Sequence, residues 1–399
     1  TAITKKITSG PTFSTNSTTG LKEIKYTLEL TGWKQSSKES GKQYLEYSGT
    51  TQITIAAGVI TDQYTNKSKA QTLTLGHIDV IKPMIEKVSS TRDTTAKTET
   101  IIFKVADKYL DTSDEVKLSE IGVKIDEEIV GVSENVASGQ ITGKLTKDTT
   151  FTDTINGDSQ VVAQQYKLVL SNFEQAMATM DKGKNYLDWS GTISIDILSG
   201  AVKDKTSGGT VNTNDKTTIK ADFVDFIQPK VTYQYATSDI NYTDKTFIMT
   251  FDITDKYYKT DTVLTTANLA DYLTIKIDND NITTNSKVTK RIIVSEPIKS
   301  TKTINKTVFD SQGNGTVQTG LKDQVVGRRY TLELSNLEQA INIGDYLNYS
   351  GVVTVALKDN IMKDSGPTGD NNNVNGNVAT TITSGVNIPG GTSPDDAKV

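Results

Sequence analysis

Acidic side chains that recur close together are the residues of this sequence most able to bind a metal ion. There are two such groups: Asp107, Asp111, Asp114 and Glu115, and Asp278 with Asp280. Calcium takes six to eight oxygen ligands, and carboxylate-rich loops supply them. Neither group has the spacing of an EF-hand loop. Because Asp and Asn also bond the backbone in solvated turns, calcium stays open as an alternative to a purely structural role.

Residues for other kinds of chemistry are scarce. The sequence has no cysteine and one histidine, His77. This composition argues against disulfides, thiol metal sites, cysteine nucleophiles and Ser-His triads. Carboxylate pairs of the kind that hydrolyse glycosides are plentiful, but no pocket-building segment interrupts the repeats described below. We therefore predict that the protein is not an enzyme, and we assign no catalytic, cofactor-binding or metal-binding residues.

Length and composition limit the class of protein. A chain of 399 residues predicts two or three domains. The net charge is −5, and there is no basic block, so nucleic acid is not an expected partner. The longest apolar runs are too short to span a membrane. The N-terminus, Thr1–Thr4, carries no signal peptide, so we expect a mature product or an excised piece.

One short motif occurs three times and organises the chain. Its form is Tyr-Leu-x-aromatic-Ser-Gly, and the copies are Tyr44–Gly49, Tyr186–Gly191 and Tyr346–Gly351. An apolar alternating run follows each copy. The spacing between copies is that of repeated whole domains rather than of solenoid turns.

The segments around the motif read as β-strands. The upstream segments alternate apolar and polar residues, which predicts a strand with one buried face and one wet face. Their apolar residues are Ile24, Tyr26, Leu28 and Leu30; Tyr166, Leu168 and Leu170; Tyr330, Leu332 and Leu334. In the second and third copies, Asn172–Ala176 and Asn336–Ala340 then resemble a helix start, so a short helical turn is expected there. The downstream run of each copy ends near Asp62, Asp204 or Asp359.

Proline marks the end of each repeat. A last strand leads into Pro83, Pro229 and Pro389, where proline stops strand pairing and stiffens the exit. The predicted units are 1–83, the rear portion of a module; 84–229 and 230–389, two full modules; and 390–399, a linker or the start of another module. We call them the first portion, the second module, the third module and the tail. The front halves of the two modules also match, with Asp107-Lys108-Tyr109 corresponding to Asp255-Lys256-Tyr257.

Short strands, frequent turn signals and the absence of a long helical pattern predict an all-β fold of tandem two-sheet antiparallel sandwiches, placed end to end. Such a module resembles the bacterial immunoglobulin-like (Big-type) domains of surface proteins. The resemblance depends on the Tyr-Thr-Leu-Glu-Leu strand, on the Tyr-Leu-x-Tyr-Ser-Gly stretch, and on Gly58–Asp62 with the Asn66 loop behind it. It covers nearly the whole chain, and the acidic, cysteine-free composition is similar to that of S-layer proteins.

The resemblance implies architecture rather than activity. Relatives of this kind serve as stalks, adhesins, filament subunits and S-layer proteins. Some related folds also carry an internal Lys–Asn cross-link, but the one candidate, Lys104, has Asp252 as its counterpart in the next module. The motif tyrosine is expected to be a buried corner residue that bonds the backbone. The alternative is an exposed aromatic platform for sugar, formed by Trp189 or Tyr349.

These observations predict a structural, extracellular bacterial protein at the cell surface or cell wall. It would self-associate, or contact neighbouring modules, in a stalk, a filament or an S-layer-type assembly. The alternative is an adhesin whose loops bind a glycan, a cell-wall polymer or a host protein.

The first portion is predicted to be incomplete. Residues 1–83 lack the equivalent of about 84–138, which contains the apolar strand around Phe103. A sandwich without that strand exposes apolar faces and unpaired edges. We expect either that the natural chain is longer at both ends or that another subunit donates the missing strands.

Overall fold

The structure of the chain is a computed structural model. It describes residues 3–33, 48–62, 64–136, 140–173, 189–205, 211–234, 239–241, 244, 246–259, 264–337, 351–359, 361, 364 and 379–388. Within these ranges the chain consists mostly of β-strands, which confirms the predicted all-β class. No helix among the described residues is long and apolar enough to cross a membrane.

The first portion forms two separate antiparallel hairpins. One pairs β1 (Thr4–Thr15) with β2 (Lys22–Thr31), and the other pairs β3 (Gly49–Ile55) with β4 (Gln71–Ile78). Each hairpin is a two-stranded sheet of its own.

The second module contains two larger sheets. Its elements are β5 (Met84–Asp93), β6 (Thr98–Ala106), the 3-10 helix η1 (Leu118–Glu120), β7 (Ile121–Ile125), β8 (Glu128–Val130), β9 (Val132–Ser133), β10 (Ile141–Ile155), β11 (Asp158–Ser171), β12 (Gly191–Ile197) and β13 (Thr217–Val224). The strand orders are β5-β6-β11-β10-β9 and β13-β12-β7-β8. All described pairings are antiparallel except the one between β9 and β10.

The third module repeats this plan. Its elements are β14 (Lys230–Tyr233), β15 (Asp239–Asn241), β16 (Thr246–Thr254), α1 (Leu269–Tyr272), β17 (Leu273–Ile277), β18 (Asp280–Asn281), β19 (Thr289–Lys299), β20 (Ile304–Phe309), β21 (Gly315–Leu321), β22 (Val325–Ser335), β23 (Gly351–Leu357) and β24 (Thr380–Ile388). One sheet has the order β14-β16-β22-β19, with β15 also paired to β16. The other has the order β18-β17-β23-β24, and β20 and β21 form a separate hairpin.

In each module the two sheets share one apolar core. The inner face of the strand from Thr98 to Ala106 is apolar except for Glu99, and Ile101 and Phe103 are fully buried against β11 and the opposite sheet. The Phe103 ring stacks on Tyr166 at 5.4 Å between ring centroids, and Phe251 stacks on Tyr330 at 5.6 Å. One core lies within Ile85–Phe226 and the other within Val231–Ile382. The predicted burial of the Tyr166 and Tyr330 strands is therefore confirmed.

The same prediction is wrong for the first copy. Ile24, Tyr26 and Leu28 are exposed, because no described strand covers the face of β2 that carries them. Several strands are also longer than the short strands that the sequence predicts. β10 has 15 residues, since its hairpin with β11 continues past the core. Of the two predicted helical turns, Glu174–Ala176 and Glu338–Ala340 lie outside the described residues.

Candidate functional site

The Ser-Gly end of the repeated motif lies where one module meets the next. In the second module, Gly191 has φ +146°, and a Cβ at this position would lie 2.3 Å from Asp126 Oδ2. Asp126 and Glu127 form the tight turn between β7 and β8, and both have positive φ. The amide of Thr192 donates to Asp126 Oδ1 at 2.9 Å. The module thus holds its own carboxylate against a glycine that leaves room for it.

The third module supplies the remaining donors to this carboxylate. Lys256 Nζ donates to Asp126 Oδ2 at 2.9 Å and to the Ser190 carbonyl at 2.6 Å. The Tyr257 hydroxyl donates to Asp126 Oδ2, and the Thr307 hydroxyl donates to Asp126 Oδ1, each at 2.5 Å. The Thr307 amide in turn donates to the Tyr257 hydroxyl at 3.1 Å. We call the group formed by Asp126, Ser190, Lys256, Tyr257 and Thr307 the joint.

The joint is closed to solvent. Asp126 and Tyr257 are fully buried, and Lys256 is 5% exposed. A buried ion pair is maintained only when further hydrogen bonds satisfy its remaining lone pairs and protons. Here both carboxylate oxygens accept two donors each. Burial, together with the Asp126 carboxylate, holds the pKa of Tyr257 well above its ordinary value, so the phenol remains a donor.

Aromatic rings pack beside the polar contacts. Phe223 on β13 meets Tyr257 and Phe309 edge to face, each at 4.9 Å between ring centroids. Such pairs contribute about 0.5–1.5 kcal/mol beyond their buried area. Phe309 lies on the hairpin β20–β21, which also carries Thr307, so this hairpin positions both an aromatic and a polar contact.

A second joint of the same design lies between the first portion and the second module. Lys108 Nζ donates to the Ser48 carbonyl at 2.5 Å, as Lys256 does to Ser190. Tyr109 meets His77 at 4.6 Å, and His77 occupies the place that Phe223 has in the other joint. The Asp126 contribution is missing here, since no described pair of strands in the first portion corresponds to β7 and β8.

The far end of the third module repeats the contact between glycine and aspartate that the second module contributes to its joint. A Cβ at Gly351 would lie 2.2 Å from Asp278 Oδ2, and the Val352 amide donates to Asp278 Oδ1 at 2.9 Å. Asp278 is exposed, whereas its counterpart Asp126 is buried under Lys256 and Tyr257. The turn is thus built in the same way whether or not a partner covers it.

Three aspartates lie behind the joint between the second and third modules. Asp225, Asp255 and Asp364 are buried, and one carboxylate oxygen of each lies within 4.8 Å of the others. Asp225 accepts the Ser190 hydroxyl at 2.8 Å, and Asp255 accepts the Tyr257 amide at 2.6 Å. Like charges this close disfavour full ionisation unless a proton or a cation offsets them. Among the described residues, this group could hold a cation. It would supply three of the six to eight oxygen ligands that calcium takes.

Aspartates stand at the same three positions of the other joint. Asp79 accepts the Ser48 hydroxyl at 2.9 Å, and Asp107 accepts the Tyr109 amide at 2.8 Å. Asp204 accepts the amide and the side chain of Asn212, and its bridge to Leu110 matches the bridge between Tyr258 and Asp364. Burial raises the pKa of Asp204, and the Asp79 carboxylate adds to the effect.

The acidic groups singled out in the sequence do not form clusters of this kind. Asp111 accepts the Ser113 hydroxyl, while Asp114 pairs with Lys203 and Lys117. Only Asp107 of that group lies behind a joint, at the position of Asp255. The structure also replaces one expected correspondence: Asp364, rather than the exposed Asp359, is the counterpart of Asp204.

Other predicted positions are placed as follows. Lys104 is buried and ion-paired with Glu86, whereas its counterpart Asp252 binds Arg329 through two hydrogen bonds. Trp189 is half-buried and packs against the core of the second module. The motif tyrosines Tyr44, Tyr186 and Tyr346, and also Tyr349, lie outside the described residues, so the corner and platform hypotheses stay predictions.

The residues of the joint lie in short sequence patterns that recur between the repeats. Asp-Lys-Tyr occurs at 107–109 and 255–257, Ser-Gly at 48–49 and 190–191, and Asp after an apolar strand at 126 and 278. Their mutual contact could not be inferred from the spacing alone. Comparison with protein-family models finds no match, and comparison with curated proteins finds none either.

Proposed function

We propose that this chain is a structural protein whose modules are held end to end by buried joints, so that it spans distance or tiles a surface. The modules are proposed to be immunoglobulin-like sandwiches, and the place of action the surface or wall of a bacterial cell. Self-association through the same kind of contact would extend the structure beyond one chain.

The observation that supports this proposal best is the repetition of the joint. Lys-Tyr of one module meets Ser-Gly of the preceding unit at both junctions, through Lys108 with Ser48 and through Lys256 with Ser190. Flexible linkers between domains are rich in glycine and serine and make few contacts across the boundary. Here both boundaries carry a lysine bonded across the junction, a short prolyl segment and packed rings, and the one between the second and third modules adds a buried ion pair, which favours a defined angle between modules.

Small-angle scattering tests this proposal. A compact protein of this length has a radius of gyration of about 21 Å. We expect the parent chain to exceed that value clearly and to show a single extended conformation. The double variant Lys256→Met, Tyr257→Phe should retain folded modules but sample a broader range of distances, because the carboxylate of Asp126 loses two of its four donors.

Lys259→Met is the matched control, since Lys259 is exposed in the same segment. Its scattering profile should coincide with that of the parent. A compact parent, or a double variant whose profile cannot be distinguished from the parent's, would contradict the proposal.

The location and the adhesin alternative need separate measurements. Antibody labelling of intact source cells should detect the chain at the surface. A glycan array should show no specific binding if the role is purely structural, and reproducible binding to one glycan class would favour the alternative.

A further inference from the structure

The two hairpins of the first portion present apolar faces to solvent. Tyr26 is 54% exposed and Leu28 is 37% exposed on β2, and Leu73 is 45% exposed on β4. No described strand pairs with the edge of β2 opposite β1, or with the edge of β3 opposite β4. Exposed apolar faces next to unpaired edges are a template for added strands.

The complete modules show what covers these positions. β11, the counterpart of β2, has β6 on its other edge, and β12, the counterpart of β3, has β7. In the third module β16 and β17 occupy the same places on β22 and β23. The consequence is burial: Leu168, at the position of Leu28, is fully buried.

A cleft lies between the two hairpins. Its volume is about 600 Å³, and its walls include Leu28, Leu30 and Ile53. Lys108 of the second module also lines it. The space is therefore bounded by the strand faces that lack partners and, at one end, by the cation of the joint.

The two complete modules specify the occupant. Opposite the tyrosine of the central strand they both place a phenylalanine, Phe103 against Tyr166 and Phe251 against Tyr330. Both also end their β7-type strand with an aspartate in a tight turn. In the second module that aspartate, Asp126, binds Lys256. An aspartate at the same position beside the first portion would meet Lys108. It would supply the carboxylate that the first joint lacks.

A second copy of the chain is a poor source of these strands. Its β6 and β7 are already paired within its own module, as are its β16 and β17. Moving them to another chain would open one core in order to close another. We infer that the cleft of the first portion binds a separate polypeptide that supplies a β6-type strand with phenylalanine opposite Tyr26, followed by a β7-type strand ending in aspartate.

This inference does not depend on the proposed function, because it concerns the faces of β2 and β3 rather than the angle between modules. The probe is a synthetic peptide with the sequence of Thr98–Val130, added to the full chain at high dilution, and the readout is amide hydrogen exchange. We expect exchange in Lys22–Thr31 and Gly49–Ile55 to slow by about tenfold or more when the peptide is bound. Exchange in Asp158–Ser171 should not change, which distinguishes binding to the first portion from strand exchange in the second module.

Paired variants locate the contact. Ile53→Asp, in the lining of the cleft on β3, should abolish the protection, whereas Thr74→Asp on β4, outside that lining, should leave it intact. Because both residues lie in the hairpin without a described core around them, the free chains should melt like the parent. In the peptide, Phe103→Asp should abolish binding, and Asp126→Asn should weaken it by removing the charge that faces Lys108.

Three results would overturn the inference. Strong protection of Lys22–Thr31 in the free monomer would mean that the hairpins are already closed. Protection that appears with chain concentration and without peptide, together with a dimer in sedimentation, would make a second copy the occupant. No protection by a peptide shown to be monomeric would mean that the cleft does not accept strands of this type.

Discussion

The first portion and the rear half of the second module have the same hairpins but opposite burial. β3 pairs with β4 and β12 pairs with β13 in matching register, each with an irregularity after the second residue. Ile195 and Ile219 are nevertheless buried in the second module, while Leu73, the counterpart of Ile219, is exposed in the first portion. The difference arises from β6 and β7, which are present in one region and have no described equivalent in the other.

This comparison separates two contributions to the fold. Hydrogen bonds between hairpin strands, and the register that they set, need only the hairpin itself. Removal of the apolar face from water needs a second layer, and an isolated two-stranded hairpin is at best marginally stable in water. We therefore expect changes at matched positions to have unequal effects in the two regions.

The largest difference is expected at the two joints. Lys256→Met removes one partner of a buried ion pair and should lower the free energy of unfolding by about 3–5 kcal/mol. Lys108→Met removes a donor to a carbonyl and should cost about 1–3 kcal/mol. Urea unfolding can be followed through the fluorescence of Trp189 in a Trp33→Phe background. Equal losses for the two variants would show that Asp126 adds nothing to its joint.

The next difference concerns the cores. Leu168→Ala should destabilise the second module by about 2–5 kcal/mol, because it leaves a cavity in a packed site. Leu28→Ala, at the matching position of the first portion, should stay within about 0.5 kcal/mol, as is usual for surface positions. Chemical denaturation measures both changes when amide hydrogen exchange is followed separately in each module. A large effect of Leu28→Ala would contradict the exposed position of this residue.

A pH dependence should distinguish the second module from the third. Burial, together with the neighbouring Asp222 carboxylate, raises the pKa of Glu99 to about 7. Because folding raises this pKa, the free energy of unfolding is highest below the unfolded pKa of about 4.5 and falls as the pH rises through about 7. The loss should approach about 3 kcal/mol.

A variant and the third module serve as controls for this pH dependence. Glu99→Gln should remove it from the thermal unfolding of the second module. The third module has Phe247 at the corresponding position, so its unfolding should lack this transition. A pH profile that Glu99→Gln leaves unchanged would assign the titration to another group.

The smallest effect is expected for an exposed ion pair near the first prolyl segment. Lys82 pairs with Asp215 at 2.5 Å, but both side chains are more than half exposed. Lys82→Met should change the free energy of unfolding by about 0–1 kcal/mol, and the change should vanish at high salt. A loss comparable to that of Lys256→Met would mean that burial is not what makes the joint strong.

Much of this architecture could be predicted from repeated residues. Alternation at Tyr166, Leu168 and Leu170 predicted a buried strand face, since period two is a local property of the extended backbone. Comparison of repeats also predicted that the first portion lacks the strand around Phe103. The burial of Tyr26 and Leu28 was predicted wrongly, because alternation indicates which side chains share a face but not whether another strand covers that face.

The joint could not be derived in this way. Asp126, Lys256 and Thr307 come from three distant parts of the chain. Asp126 and Lys256 were visible only as members of repeats, and no sequence pattern singled out Thr307. Asp364 was missed in favour of Asp359, since both lie after the same strand and the loop lengths differ between copies. Local sequence thus determines strand, turn and repeat, because these depend on neighbours along the chain. The packing of two modules decides which carboxylates become buried and which lysine neutralises them, because burial and pairing of charge depend on distances in space.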